Sequence, residues 1–163
     1  MSRKLAAIFI AMLMMLSFSS CMGITVRKEV KPLIYGKWAT KGGAMFEFTE
    51  DGRYAFYKDK NDTSDYYYKG PLKFLRGKAA MKDVNLTDEE FNRVYKKFTK
   101  DKNNIYSMKL YFETLHSEGK DKSKAADKGD YLYYLFVISS DDADKGMAIR
   151  LTDSYVSDIT RIK

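Results

Sequence analysis

Hydrophobic and polar positions follow three different rhythms along this chain. Leu5 to Leu16 run L-A-A-I-F-I-A-M-L-M-M-L without a polar side chain, just behind Arg3 and Lys4. That run is shorter than the ~20 residues a helix needs to cross a bilayer. A charged start, a short apolar core and the small residues Ser19 and Ser20 make an export-signal pattern. From Leu33 onward the rhythm is that of strands: short aromatic-rich runs separated by turn residues. Leu33–Thr40 reads as the first strand, and Ala44–Thr49 alternates with Phe46 and Phe48 on one face. Asp51-Gly52 then signals a tight type I′ hairpin leading into Tyr54–Tyr57. Tyr66–Lys69 and Leu72–Leu75 read as two strand pieces broken by Gly70-Pro71.

A helical rhythm interrupts over residues 78–100. Gly77–Asn85 allows one short helix. Thr87 followed by Glu90 is a capping box, and Phe91, Val94, Tyr95 and Phe98 follow at helical spacing. This predicts about three turns whose aromatic face covers one end of the sheet. Arg93, Lys96 and Lys97 face away or fall near the helix end, where cations suit its dipole. Alternation then resumes. Tyr106, Met108, Leu110 and Phe112 share one face, with Ser107, Lys109, Tyr111 and Glu113 on the other. Glu118–Asp130 reads as a charged loop, and Tyr131–Ile138 is apolar on both faces, the mark of the most buried strand. Met147–Leu151 and Tyr155–Ile162 close the chain. The expected fold is mainly β: an antiparallel meander of about eight strands closing into a barrel, which removes exposed edges.

Composition adds compartment. Cys21 is the single cysteine, directly behind the apolar run, so no disulfide staples the domain and burial must hold it together. Phe18-Ser19-Ser20-Cys21 resembles the bacterial lipobox, in which the peptide is cut before the cysteine and the thiol carries a diacylglycerol. Two acyl chains make a durable anchor where one alone is marginal. The resemblance implies a signal peptide over 1–20, a tether over 21–32, a domain over 33–163 and a lipid anchor on Cys21 at the extracytoplasmic face of a bacterial membrane. The net charge of +7 would otherwise invite nucleic acid; export argues against it and favours anionic headgroups or envelope polymers as neighbours, and above these a solvated basic surface with no partner.

Gly36-Lys37-Trp38 resembles the G-x-W pattern of lipocalins and related calycin barrels. In that family the tryptophan plugs one end of the barrel and an arginine near the C-terminus packs across its ring. Arg161 is placed to match. The chain is also similar to a group of small lipoproteins, chiefly from Gram-positive anaerobes. They share G-x-W, then F-x-F-x-x-D-G-x-Y (here Phe46 to Tyr54), then R-G-x-x-A (here Arg76 to Ala80). That resemblance implies a fold and a compartment, and no activity. Lipocalins usually carry their helix near the C-terminus, whereas this chain carries its own in the middle.

Catalytic patterns are missing. His116 is the only histidine, which excludes a histidine-based zinc site, and there is no G-x-S-x-G elbow and no phosphate loop. Asp141-Asp142-Ala143-Asp144-Lys145-Gly146 fails the register of a calcium loop. The expectation is therefore a non-enzymatic protein without cofactor or metal. Tyr66, Tyr68, Tyr133 and Tyr134 are the candidate ligand contacts, because a tyrosine ring is rigid and its hydroxyl selects orientation. A small apolar or amphipathic molecule in the barrel mouth is the first expectation. The second is a solid barrel that contacts a protein or envelope polymer through Arg93, Lys96, Lys97, Lys100 and Lys102.

Overall fold

A computed structural model of the chain describes residues 31–125 and 129–163. The expected export segment, Cys21 and most of the tether lie outside the described residues. Pro32–Lys163 is one compact unit.

Ten strands form among the described residues: β1 (Gly36–Thr40), β2 (Met45–Phe48), β3 (Arg53–Tyr57), β4 (Tyr67–Arg76), β5 (Ile105–Tyr111), β6 (Thr114–Ser117), β7 (Lys120–Asp121), β8 (Tyr131–Ile138), β9 (Lys145–Arg150) and β10 (Tyr155–Ile162). Eight of them close a ring in the order β1-β2-β3-β4-β5-β8-β9-β10, every neighbour antiparallel and β10 returning to β1. The chain is thus a closed eight-stranded antiparallel barrel, consistent with a lipocalin-like one. The short β6–β7 hairpin extends from the lower half of β4.

Strand alternation decides what goes inside. Trp38, Phe46, Phe48, Tyr54, Tyr68, Tyr106, Met108, Leu110, Tyr134, Phe136 and Ile138 converge in one buried cluster. Burying side chains of this size contributes roughly 1.5–3 kcal/mol each. The outward residues of β8 are apolar for a second reason. Leu135 and Val137 lie under two helices, α1 (Lys78–Asp83) and α2 (Asp88–Val94), with Met81 and Phe91 packed on them. The helices therefore cover an outer wall of the barrel rather than one end of the sheet. The capping box forms as the sequence directs: Thr87 Oγ1 accepts from the Glu90 amide at 3.2 Å, and Glu90 accepts from the Thr87 amide at 2.9 Å. The helix is shorter than its periodicity suggests. It stops at Val94, which is 55% exposed, and Tyr95 is already its C-cap.

Two turns and one strand depart from the expected pattern. Only Gly52 takes a positive φ (78°) at the Asp51-Gly52 turn, so this hairpin is a three-residue loop with a glycine bulge and not a type I′ turn. β4 runs unbroken through Gly70-Pro71, because its partner changes there from β6 to β5. A Cβ on Gly70 would collide with the Tyr111 carbonyl, so only glycine admits the crossing strand. Within the expected Glu118–Asp130 loop, Glu118 and Gly119 both take positive φ and make the tight turn of the β6–β7 hairpin.

Candidate functional site

The two ends of the barrel differ. At one, Trp38 is fully buried and its Nε1 donates to the Ile34 carbonyl at 2.7 Å. The Arg161 guanidinium lies 4.3 Å from the Trp38 ring centroid and donates to the carbonyls of Tyr35, at 2.6 Å, and Leu33. Arg161 Nε pairs with Asp144 at 3.1 Å. Gly36 stands beside this contact: a Cβ there would sit 2.9 Å from Arg161 Nη1. Leu33 and Tyr35 pack beneath, Tyr35 meeting Phe74 edge-on at 6.0 Å. This end is closed by packed side chains.

The opposite end is open. A cavity of about 300 Å³ lies there, with Phe46, Phe56, Tyr134 and Ala148 as its apolar floor and Lys58 and Arg150 on its rim. It sits at the small end of the range that holds ligands. Phe46 contacts Phe56 at 5.0 Å and Tyr134 at 5.5 Å, and Phe56 stacks on Tyr68 at 4.5 Å. Below this layer the barrel is filled, with Phe48, Tyr106, Met108, Leu110 and Phe136 essentially without exposure. Any occupant is therefore limited to the mouth.

Tyr134 and Arg150 both line the cavity. Arg150 in turn grips Asp153 with Nε and Nη2, at 2.9 and 2.6 Å, and lies 5.5 Å over the Tyr155 ring. Burial pushes the Tyr68 phenol far above its ordinary range, with Tyr134 and Tyr54 adding to it. Burial also raises Tyr134, against the opposing pull of Arg150. The hydrogen bonds to Asp153 hold Arg150 firmly charged. The mouth thus presents neutral hydroxyls and two cations above an aromatic floor.

Of the four tyrosines singled out by sequence, Tyr134 lines this cavity. Tyr68 is buried behind it, stacked on Phe56, and Tyr66 lines the neighbouring loop hollow, meeting Tyr68 edge-on at 6.4 Å with Lys58 over its ring at 5.6 Å. Tyr133 belongs to the other face of β8 and points away from the barrel. Its hydroxyl donates to Asp83 Oδ2 at 2.6 Å, tying β8 to the end of α1. The rim residues Lys58 and Arg150 were missed by sequence reading; only the Arg150/Asp153 spacing at a strand end hints at one of them. A larger hollow of about 430 Å³ beside the mouth is polar and loop-lined. Its Asp59 and Asp62 carboxylates accept hydrogen bonds from Asn61 and Ser64 of their own loop.

The basic residues around the helix are dispersed. Lys102 pairs with Asp88 at 2.7 Å and Lys100 with Asp141 at 3.5 Å. Arg93, Lys96 and Lys97 are exposed. His116 stacks on Tyr67 at 5.0 Å, with Nδ1 3.2 Å from the Asp65 carbonyl oxygen. Among the described residues, no group of three or more His, Cys, Asp or Glu is arranged to hold a metal. No family model, curated protein or solved structure matches this chain.

Proposed function

We propose that this chain is a lipid-anchored binding protein of the bacterial envelope whose barrel mouth holds a small amphipathic molecule. The mouth cavity carries this reading: an aromatic floor closed below, with Lys58 and Arg150 at the rim. Such a site buries an apolar body and leaves a polar or anionic head at the rim. Anchoring rests on the Phe18-Ser19-Ser20-Cys21 pattern and export on the apolar run before it. Cys21→Ser should release the chain from membranes or leave it unprocessed; a Cys21→Ser chain that fractionates with membranes at mature size would overturn the anchor.

Binding is tested by titrating the full chain with a dansyl-labelled undecanoate and reading its fluorescence. Ala44 lines the cavity from the β1–β2 turn, so Ala44→Phe adds bulk there and leaves the floor residues themselves unsubstituted. Saturable binding that Ala44→Phe removes supports the reading. No saturable binding, or binding unchanged by Ala44→Phe, would refute it for this ligand class.

A further inference from the structure

The outer face of β4, β5 and β8, beside the Asp83 end of α1, carries an arrangement that the fold alone does not explain. In an antiparallel pair, like charges directly opposite one another destabilise the sheet. Lys73 of β4 nonetheless stands directly opposite Lys109 of β5, and Lys109 opposite Tyr133 of β8. Among the described residues, neither lysine, nor Lys69 farther along β4, has a carboxylate within ion-pairing distance. Asp83 feels Lys109, but its carboxylate is bound by the Tyr133 hydroxyl.

Tyrosine rings fix these cations in place. Lys69 lies over Tyr67 at 4.7 Å and over Tyr57 at 5.3 Å. Lys73 lies over Tyr111 at 5.3 Å. Lys109 lies over Tyr131 and Tyr133 at 5.4 and 5.3 Å. Tyr111 and Tyr131 pack against each other at 5.3 Å, with Tyr131 44% exposed. A shallow groove of about 220 Å³ opens between Lys73 and Lys109. At its floor Ser107 is 2% exposed, and its Oγ has no hydrogen-bond partner of normal geometry, although it lies near enough to Asp83 to favour that carboxylate's charge. A like-charge pair held directly across two strands breaks a local rule, and such breaches are expected at functional or strained sites.

We propose that this Lys/Tyr wall binds an anionic polysaccharide: acidic groups bridge Lys73 and Lys109, and sugar rings lie against Tyr111 and Tyr131. Charge complementarity selects the anion. Rigid rings with polar rims suit sugars, whose faces are apolar and whose edges are hydroxylated. The site lies on the outer wall, so it is separate from the mouth and does not depend on it.

The test is calorimetric titration of the full chain, held in a non-ionic detergent, with an oligogalacturonate, comparing the wild type with Lys73→Gln/Lys109→Gln and with Tyr131→Ala. Saturable binding that weakens with salt and falls about tenfold or more in either variant is the expected result, in keeping with a contact built on a few charge pairs. Both variants should keep the wild type's far-ultraviolet circular dichroism at the titration temperature, and Ala44→Phe should bind the oligosaccharide normally. Absence of saturable binding would overturn the proposal. So would binding that survives Lys73→Gln/Lys109→Gln, equal affinity for polyglutamate, which lacks sugar rings, or tighter binding of oligothymidylate, which would assign the wall to single-stranded nucleic acid.

Discussion

Arg161 covers the indole of Trp38 at 4.3 Å while its two terminal nitrogens hold the carbonyls of Leu33 and Tyr35. One side chain thus ties the last strand of the barrel to the first strand and to the segment that seals the closed end. Arg161→Ala removes the ring contact and leaves two half-buried carbonyls short of donors. It should cost about 2–4 kcal/mol, combining a cation–π contact with charge-assisted hydrogen bonds. Arg161→Lys should recover little of this, because an ammonium cannot stack and fork at once. Urea unfolding of the full chain measures it: the midpoint should fall with the slope unchanged.

The interior tyrosines should titrate apart from the surface ones. Tyr54 and Tyr68 are held protonated mainly by burial, and Tyr134 is raised by burial as well. A group whose folded value is raised contributes stability that is fully present below its unfolded value and is lost as pH climbs beyond it. Ultraviolet titration at the phenolate band should therefore show the exposed tyrosines ionising first. A second step should coincide with loss of near-ultraviolet circular dichroism as the barrel opens. A single reversible step with the fold intact would contradict this.

Tyr133 and Asp83 form a link between the barrel wall and α1. The Tyr133 hydroxyl bond, ahead of smaller contributions from Ser107 and Lys109, holds the Asp83 carboxyl below its usual value. Its stabilising effect should be present above about pH 4, the ordinary carboxyl range, and vanish as pH falls through the lower folded value. Tyr133→Phe should cost about 0.5–1.5 kcal/mol at neutral pH. Denaturation at a series of pH values checks it: the gap between Tyr133→Phe and wild type should close in acid. A gap that persists there would mean that packing, not the hydrogen bond, carries the effect.

Much of the fold was legible because strand alternation is a local property. Phe46/Phe48 and Tyr106/Met108/Leu110 each declare one face, and those faces do line the interior. Tyr131–Ile138 announced two covered faces, and the reason is the pair of helices lying on Leu135 and Val137. What sequence obscured depends on partners distant in the chain. Gly70-Pro71 reads as a break, yet it is the point where β4 changes partner and lets Tyr111 approach. Val94 keeps the helical period, yet the helix ends there and Val94 faces solvent.

The candidate site was legible in the same uneven way. Adjacent tyrosines on a strand must face opposite sides, so Tyr133 and Tyr134 can never share a site. Choosing between them requires knowing which face is inside, and β8 is apolar on both. Lys58 and Arg150 escaped notice because one follows β3 and the other ends β9 among ordinary surface residues, and only closure of the ring brings them to one rim. The Lys73/Lys109 opposition is likewise invisible until the β4–β5 register is known.

Native mass spectrometry of the full chain, isolated from its natural source, reads what the barrel mouth holds. A small molecule should travel with the wild-type chain and be missing from Ala44→Phe prepared in the same way, and extraction should identify an apolar body with a polar or anionic head. Identical ligand-free masses for both chains, with extracts matching a detergent blank, would contradict a binding role for the barrel mouth.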